Sequence, residues 1–129
     1  EMHSGLGELR NHCSMNCGVR VALKEIGKGL AADIARVDEI WSEGVTRFGG
    51  PYLAGPAFSA ADAFYAPVVF RVQTYGLALG KTARAWADRM LDHPAMREWY
   101  EAALAEPWRE AGHEKEISLS GTLQADYRK

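Results

Sequence analysis

Two short segments of the sequence carry side chains whose types and spacing could support acid–base or metal chemistry. In the first, Ser59 and Asp62 resemble a hydroxyl–carboxylate pair, but they also have the three-residue spacing of a helix capping box. No histidine lies at helical spacing from either residue, and capping accounts for both. The pattern therefore predicts that a helix begins at Ser59, with Asp62 bonding back to its free backbone N–H group.

The second segment contains Cys13 and Cys17, with His12 beside them. On a helix, a four-residue spacing places both sulfurs on one side, as a metal or redox site would require. The segment has no fourth ligand nearby and lacks the Cys-x-x-Cys spacing of structural zinc. We interpret the cysteines as small buried residues at a helix end and predict no bound metal. Two cysteines are also too few for a typical disulfide-stapled secreted domain, which favours a reduced, cytoplasmic protein.

The rest of the sequence, which must position these two segments, is dominated by helical periodicity. Apolar residues recur at spacings of three and four over residues 30–48, and a Gly-Gly-Pro run then ends that helix. The capped helix continues to Tyr75, with a bend predicted at Pro67, where a helical bond is lost. Two more helices are predicted over 81–92 and 95–105. The residues predicted to face the core include Leu30, Ile34, Val37, Trp41, Val45, Phe48, Phe64, Val68, Val72, Tyr75, Ala83, Trp86, Met90, Met96, Trp99 and Trp108.

The two ends of the chain are less regular. Residues 1–13 have the pattern of the last turns of a truncated helix, and residues 13–29, which contain three glycine-marked breaks, are predicted to be a loop. The polar tail has weak helix signals, and no strand pattern survives the helical alternatives. We therefore predict an all-α fold, with a helical domain over residues 1–112 and a polar C-terminal tail over residues 113–129.

Length and composition fit one domain with a substantial core, because the chain has 129 residues and 47% of them are hydrophobic. The net charge of −2 argues against a nucleic-acid partner, which would need a clustered basic face. No run of about 18 apolar residues is present, so we expect no membrane span. The sequence starts at Glu1 in what resembles the middle of a helix, and we expect it to be a piece of a longer protein.

Three segments, taken in order, resemble the C-terminal domain of cytosolic glutathione S-transferases of the bacterial type. Residues 58–62, FSAAD, are similar to the motif that starts the buried central helix of that domain. Residues 93–99, HPAMREW, resemble its closing helix pair, and residues 1–5, EMHSG, are similar to a Glu-Leu-His-Lys-Gly stretch of beta-class enzymes. The resemblance implies the helical bundle of this family, without the thioredoxin-like N-terminal domain that accompanies it.

The resemblance also implies a function. In the family, the thioredoxin-like domain binds glutathione and activates its thiol, so we expect this chain alone to be inactive and to bind no cofactor. Glutathione would be the co-substrate of the parent, a cytoplasmic detoxification transferase. The chain would form the wall that positions a small apolar electrophile beside the sulfur, and it would contribute to the interface of a homodimer.

Site residues follow from the same resemblance. His3 matches a histidine that faces the glutathione sulfur, where an imidazole can stabilise a thiolate. Ser4 replaces the lysine that follows in the family, which removes a cation from the site. Arg10, Met15 and Tyr65 are candidates for the wall of the electrophile pocket, because methionine and aromatic groups accept varied apolar substrates. The alternative for His3 is a surface histidine, and for the other three it is ordinary packing.

Other function classes stay open at this point. Domains of this type also serve as non-catalytic protein–protein interaction modules, and the same scaffold supports glutathione-dependent lyases, isomerases and reductases. If a thioredoxin-like domain packs against this chain, an exposed apolar patch is expected around Met2, Leu6 and Tyr65.

Overall fold

Six helices and one small antiparallel sheet make up the structure, a computed structural model that describes residues 1–129. The prediction of an all-α fold is confirmed in part, because the domain is mostly helical but also contains a two-stranded sheet. No helix combines the length and the apolar character that crossing a bilayer would need. In chain order the elements are α1 (Gly7–His12), β1 (Val19–Leu23), α2 (Lys28–Arg47), α3 (Ala60–Tyr75), α4 (Lys81–Asp92), α5 (Pro94–Ala105), α6 (Ala111–Ser120) and β2 (Gly121–Asp126).

The sheet joins the two irregular ends of the chain. β1 lies in the segment predicted to be a loop, and β2 lies in the tail predicted over residues 113–129. The strands pair antiparallel, with Val19 opposite Asp126 and Leu23 opposite Gly121, and the register shifts between Arg20 and Val21. The expectation that no strand forms is therefore wrong. It failed because each strand is short and its partner lies about a hundred residues away, so no local pattern records the pairing.

α3 is the most buried helix, and it packs against β1 and α4. It starts with the predicted capping box, in which the backbone N–H of Ser59 donates to Oδ2 of Asp62 at 2.9 Å. It ends at Gly76, whose φ of 59° is the left-handed conformation that glycine adopts without strain. Pro67 lies inside the helix, and the bend expected there stays a prediction.

Aromatic side chains of three helices fill the centre of the core. Trp41 of α2 and Trp86 of α4 lie side by side, with ring centroids 4.5 Å apart. Tyr65 of α3 meets Trp41 edge to face at 5.9 Å. All three side chains are buried, and the predicted inward positions of Trp41 and Trp86 are confirmed.

Four other aromatic residues predicted to face the core are exposed instead: Phe48 (54%), Phe64 (61%), Trp99 (41%) and Trp108 (68%). Phe48 is the C-cap residue of α2, and Trp108 lies in the connection between α5 and α6, so neither continues the buried face of a helix.

The apolar patch expected around Met2, Leu6 and Tyr65 is not exposed. Leu6 and Tyr65 are buried in the core of the chain itself, and Met2 is half-buried against it. The largest exposed apolar side chain on α3 is that of Phe64, one residue before the buried Tyr65.

Candidate functional site

The carboxylate of Asp62 holds three parts of the fold together. It is fully buried (0% exposed), and each of its oxygens accepts two hydrogen bonds. Oδ1 accepts from the backbone N–H of Leu53 at 3.0 Å and from Nε1 of Trp86 at 2.9 Å. Oδ2 accepts from the backbone N–H and the hydroxyl of Ser59 at 2.9 and 3.1 Å. These contacts join the loop before α3 to α3 and α4, and they leave neither oxygen free for acid–base chemistry.

His3, Ser4 and Arg10 lie together at the start of the chain and are all exposed. Nη1 of Arg10, on α1, donates a hydrogen bond to the backbone carbonyl of His3 at 3.0 Å. The bond fixes the backbone at His3, while the imidazole itself makes no hydrogen bond or ion pair within the chain. Glu1, beside this group, is fixed to α2 because both of its carboxylate oxygens accept bonds from Arg36, at 2.7 and 2.8 Å.

Tyr65 lies in the core, against Trp41 of α2. Burial raises the pKa of its hydroxyl, and the negative charge of Glu1 raises it further. The phenol therefore stays protonated at neutral pH. Only a small part of the Tyr65 side chain reaches solvent, so it packs in the core and contributes little to any surface pocket.

Met15 lies in a separate cavity of about 310 Å³ between residues 15–18 and the C-terminal part of the chain. That volume is at the lower end of the range for small-molecule pockets. Trp99 and Trp108 line it on one side, and Cys17 lies in its wall. Burial raises the pKa of the Cys17 thiol to about 11, so the thiol is protonated at neutral pH. The ionisable side chains of the lining, apart from the Cys17 thiol, are Glu106, Arg109, Glu110, His113, Glu114 and Arg128.

The two cysteines are not joined by a disulfide. Both thiols are free and buried, and burial raises the pKa of Cys13 to about 12. His12 contacts Glu8 through Nε2 at 3.3 Å. No cluster of three or more histidine, cysteine, aspartate or glutamate side chains is arranged to hold a metal ion.

Arg71 is a functional candidate that the sequence reasoning missed. Its Nε donates to the backbone carbonyl of Cys13 at 2.8 Å, and its side chain forms no ion pair. Burial lowers the pKa of the guanidinium, and the positive charge of Arg10 lowers it as well. A sequence signal was present, because Arg71 is the one charged residue between Asp62 and Gly76.

The structure therefore divides the five predicted site residues. It joins Arg10 to the backbone of His3, in the exposed segment that also contains Ser4, and it places Tyr65 in the core. Met15 faces a different cavity, lined by residues of α5, α6 and the connection between them.

A family model for the C-terminal domain of glutathione S-transferase matches residues 20–102, more than half of the chain. The chain belongs to this family. No curated protein and no solved structure matches it. The matched part of the glutathione S-transferase C-terminal domain runs from β1 into α5 and includes Ser59, Asp62 and Tyr65. His3, Ser4, Arg10 and Met15 lie before it.

Proposed function

We propose that this chain is the electrophile-binding and dimerisation domain of a cytoplasmic glutathione transferase that conjugates glutathione to a small apolar electrophile. Family membership over residues 20–102 is the observation that carries the proposal. A thioredoxin-like domain binds glutathione and lowers the pKa of its thiol, and this chain forms the surface opposite the sulfur. The chain alone is inactive, because the residues that activate the thiol belong to the other domain.

His3 is the residue of this chain that faces the sulfur. Its exposed imidazole has no partner within the chain, so it is free to donate a hydrogen bond to a thiolate. The bond from Arg10 to the His3 carbonyl holds the backbone from which the imidazole projects. Ser4 adds a neutral hydroxyl where the beta-class enzymes have a lysine, so stabilisation of the thiolate depends more heavily on His3.

Of the three candidates for the wall of the electrophile pocket, Arg10 lies on the same surface as His3, whereas Met15 lines a separate cavity with two exposed tryptophans. That cavity of about 310 Å³ has a mixed lining of a thioether, two indole rings and several ionisable side chains, so the apolar electrophile is assigned to the surface beside His3 instead. Holding that molecule beside the sulfur supplies much of the rate, because the reaction between two bound partners avoids the entropy cost of their encounter.

The test uses the protein in which this chain follows its thioredoxin-like domain. His3→Ala is expected to lower kcat for conjugation of a chromogenic apolar electrophile by roughly a hundredfold, on the scale of a lost catalytic proton donor. His12→Ala is the matched control, because His12 is also an exposed histidine near the N-terminus and contacts only Glu8. Equal rates for the two variants would remove His3 from the mechanism.

A non-catalytic interaction module is the second candidate, and one observation favours it. Phe64, on α3, exposes 61% of its side chain, and exposed aromatic residues are typical anchors of protein–protein interfaces. Binding to glutathione resin distinguishes the two candidate functions. Retention of the two-domain protein with conjugation activity supports the transferase, whereas no retention and no activity would leave the interaction module.

A further inference from the structure

The cavity of about 310 Å³ between residues 15–18 and the C-terminal part of the chain has no role in the proposed transferase function. Two of the four tryptophans of the protein, Trp99 and Trp108, belong to its lining. Both are exposed, whereas Trp41 and Trp86 are buried in the core. Because an indole ring offers its π face to a guest, two of them in one lining favour a ligand with affinity for aromatic surfaces.

Contacts within the fold hold both tryptophans in position. Trp99 of α5 meets Phe70 of α3 edge to face, with ring centroids 5.0 Å apart. Trp108 lies in the connection between α5 and α6, where Nη1 of Arg109 donates to its carbonyl at 2.9 Å. Nη2 of Arg109 donates to the backbone oxygen of Lys129 at 3.3 Å, which ties this connection to the end of the chain. The lining is therefore largely formed before a ligand arrives, and little conformational entropy is lost on binding.

Three carboxylates belong to the lining of the cavity, and the fold uses two of them. Glu114 accepts hydrogen bonds from both terminal nitrogens of Arg128. Glu110 is the N-cap of α6 and accepts from two backbone N–H groups of its first turn. Glu106 is exposed, and its carboxylate has no hydrogen-bond or ion-pair partner within the chain. Burial, and then the charge of Glu106, raise the pKa of the Cys17 thiol in the cavity wall, so the carboxylate lies near that wall.

The positive groups of the lining leave the carboxylate of Glu106 without a partner. Arg128 is bound to carboxylates of α6 and β2. The imidazole of His113 contacts Glu110 at 3.0 Å. Arg109 directs both terminal nitrogens to backbone oxygens, one of them the carbonyl of Glu106 at 2.5 Å. The cavity therefore combines two exposed indoles with one carboxylate that is free to attract a cation.

We propose that this cavity binds a small organic cation, a methylated ammonium group, against the indoles of Trp99 and Trp108, with Glu106 as its counter-ion. Such groups are attracted to the faces of aromatic rings, and a nearby carboxylate adds Coulomb attraction. A methylated ammonium has no N–H groups in need of acceptors, which suits a lining whose other two carboxylates are already bonded. An anion is disfavoured, because both terminal nitrogens of Arg109 are occupied. The site goes beyond the proposed transferase function and uses none of the residues beside His3.

The test is an NMR titration of the 129-residue chain, followed on the four tryptophan indole N–H resonances. The probe is choline, and the neutral reference is 3,3-dimethylbutan-1-ol, which has the same shape with carbon in place of the charged nitrogen. Sodium chloride keeps the ionic strength constant in both arms. We expect choline to shift the resonances of Trp99 and Trp108 saturably and to leave those of the buried Trp41 and Trp86 in place. The Kd for choline should be at least about fivefold below that for the alcohol, on the scale of a cation–π contact.

Two variants show whether the binding belongs to this lining. Glu106→Gln keeps the shape of the side chain and removes its charge, so it should raise the Kd for choline about fivefold and leave that for the alcohol unchanged. Glu101→Gln is the matched control, because Glu101 is also an exposed glutamate, on α5, and does not belong to the lining. Trp108→Leu should also raise the Kd for choline about fivefold, followed then on the resonance of Trp99.

Three results would overturn the site. The first is the absence of a saturable shift with choline, and the second is an equal Kd for choline and the alcohol, which would make the cavity a purely apolar pocket. The third is a Kd for choline in Glu106→Gln equal to that in Glu101→Gln. All three substituted side chains are exposed, so their loss leaves the core intact. Glutathione is in neither arm and His3 is outside the lining, so failure here leaves the transferase proposal standing.

Discussion

Replacing Asp62 with alanine should remove a large share of the stability of this domain. The substitution deletes both oxygens and leaves four donor groups without their acceptor. The Ser59 hydroxyl is half-buried and can turn to water, but the Leu53 N–H and the Trp86 Nε1–H belong to buried residues. Each buried donor left unsatisfied costs about 1–3 kcal/mol, so these two alone give a loss of about 2–6 kcal/mol.

Asp62→Asn tests the charge of the carboxylate separately from the space that the side chain fills. An asparagine oxygen can still accept from Leu53 and Trp86, but its NH₂ group then faces the backbone N–H of Ser59, which is also a donor. We expect Asp62→Asn to lower the free energy of unfolding, but by less than Asp62→Ala does. Asp88→Ala is the control, because Asp88 is an exposed aspartate on α4 whose side chain forms no hydrogen bond or ion pair within the chain.

Urea unfolding followed by tryptophan fluorescence measures these differences, since Trp41 and Trp86 are buried in the folded state. At about 4 °C per kcal/mol for a chain of this size, Asp62→Ala should also lower Tm by roughly 10 °C or more. A free energy of unfolding for Asp62→Ala within about 1 kcal/mol of the Asp88→Ala control would refute the assignment of a structural role.

Two further predictions concern the C-terminal strand. Hydrogen bonds from Arg128 lower the pKa of Asp126 from 3.8 to about 2, so this pair stabilises the fold above pH 4 and the contribution is lost as pH falls toward 2. An NMR titration should find the pKa of Asp126 returning toward 3.8 in Arg128→Met, and an unchanged value would contradict the pairing. Gly121→Ala should lower Tm, because a Cβ there would lie 2.5 Å from the backbone oxygen of Ala22, whereas Gly27→Ala, with open space around it, should not. Equal Tm values for the two glycine variants would argue against the β1–β2 pairing.

The parts of the fold that could be predicted are those whose causes are local. The start of α3 follows from Ser59 and Asp62 three residues apart, and its end follows from a glycine that can adopt positive φ. The break between α4 and α5 follows from His93 and Pro94, and the structure shows His93 as the N-cap, with Nδ1 accepting from the N–H of Ala95.

What escaped prediction depends on partners distant in the sequence. β1 and β2 are strands because each is the other's partner, and neither has a hydrophobic run long enough to mark it alone. Helical spacing placed Phe64 and Trp99 on inward faces, but the exposure of a helix face depends on which neighbours pack against it. Arg71 escaped for a related reason, because its contact with Cys13 spans 58 positions.

Asp62 and Arg71, the two charged side chains of α3, differ in how much of their hydrogen-bonding capacity the fold uses. Asp62 is fully buried and each of its oxygens accepts two bonds, so nothing remains for a ligand, although its type suggests chemistry. Arg71 is half-buried, and one of its nitrogens is bonded while two have no partner within the chain. A buried charge has a large desolvation cost that only partners can offset. The partners of Asp62 are all within the chain, whereas the free nitrogens of Arg71 are left to solvent or to a group from outside the chain.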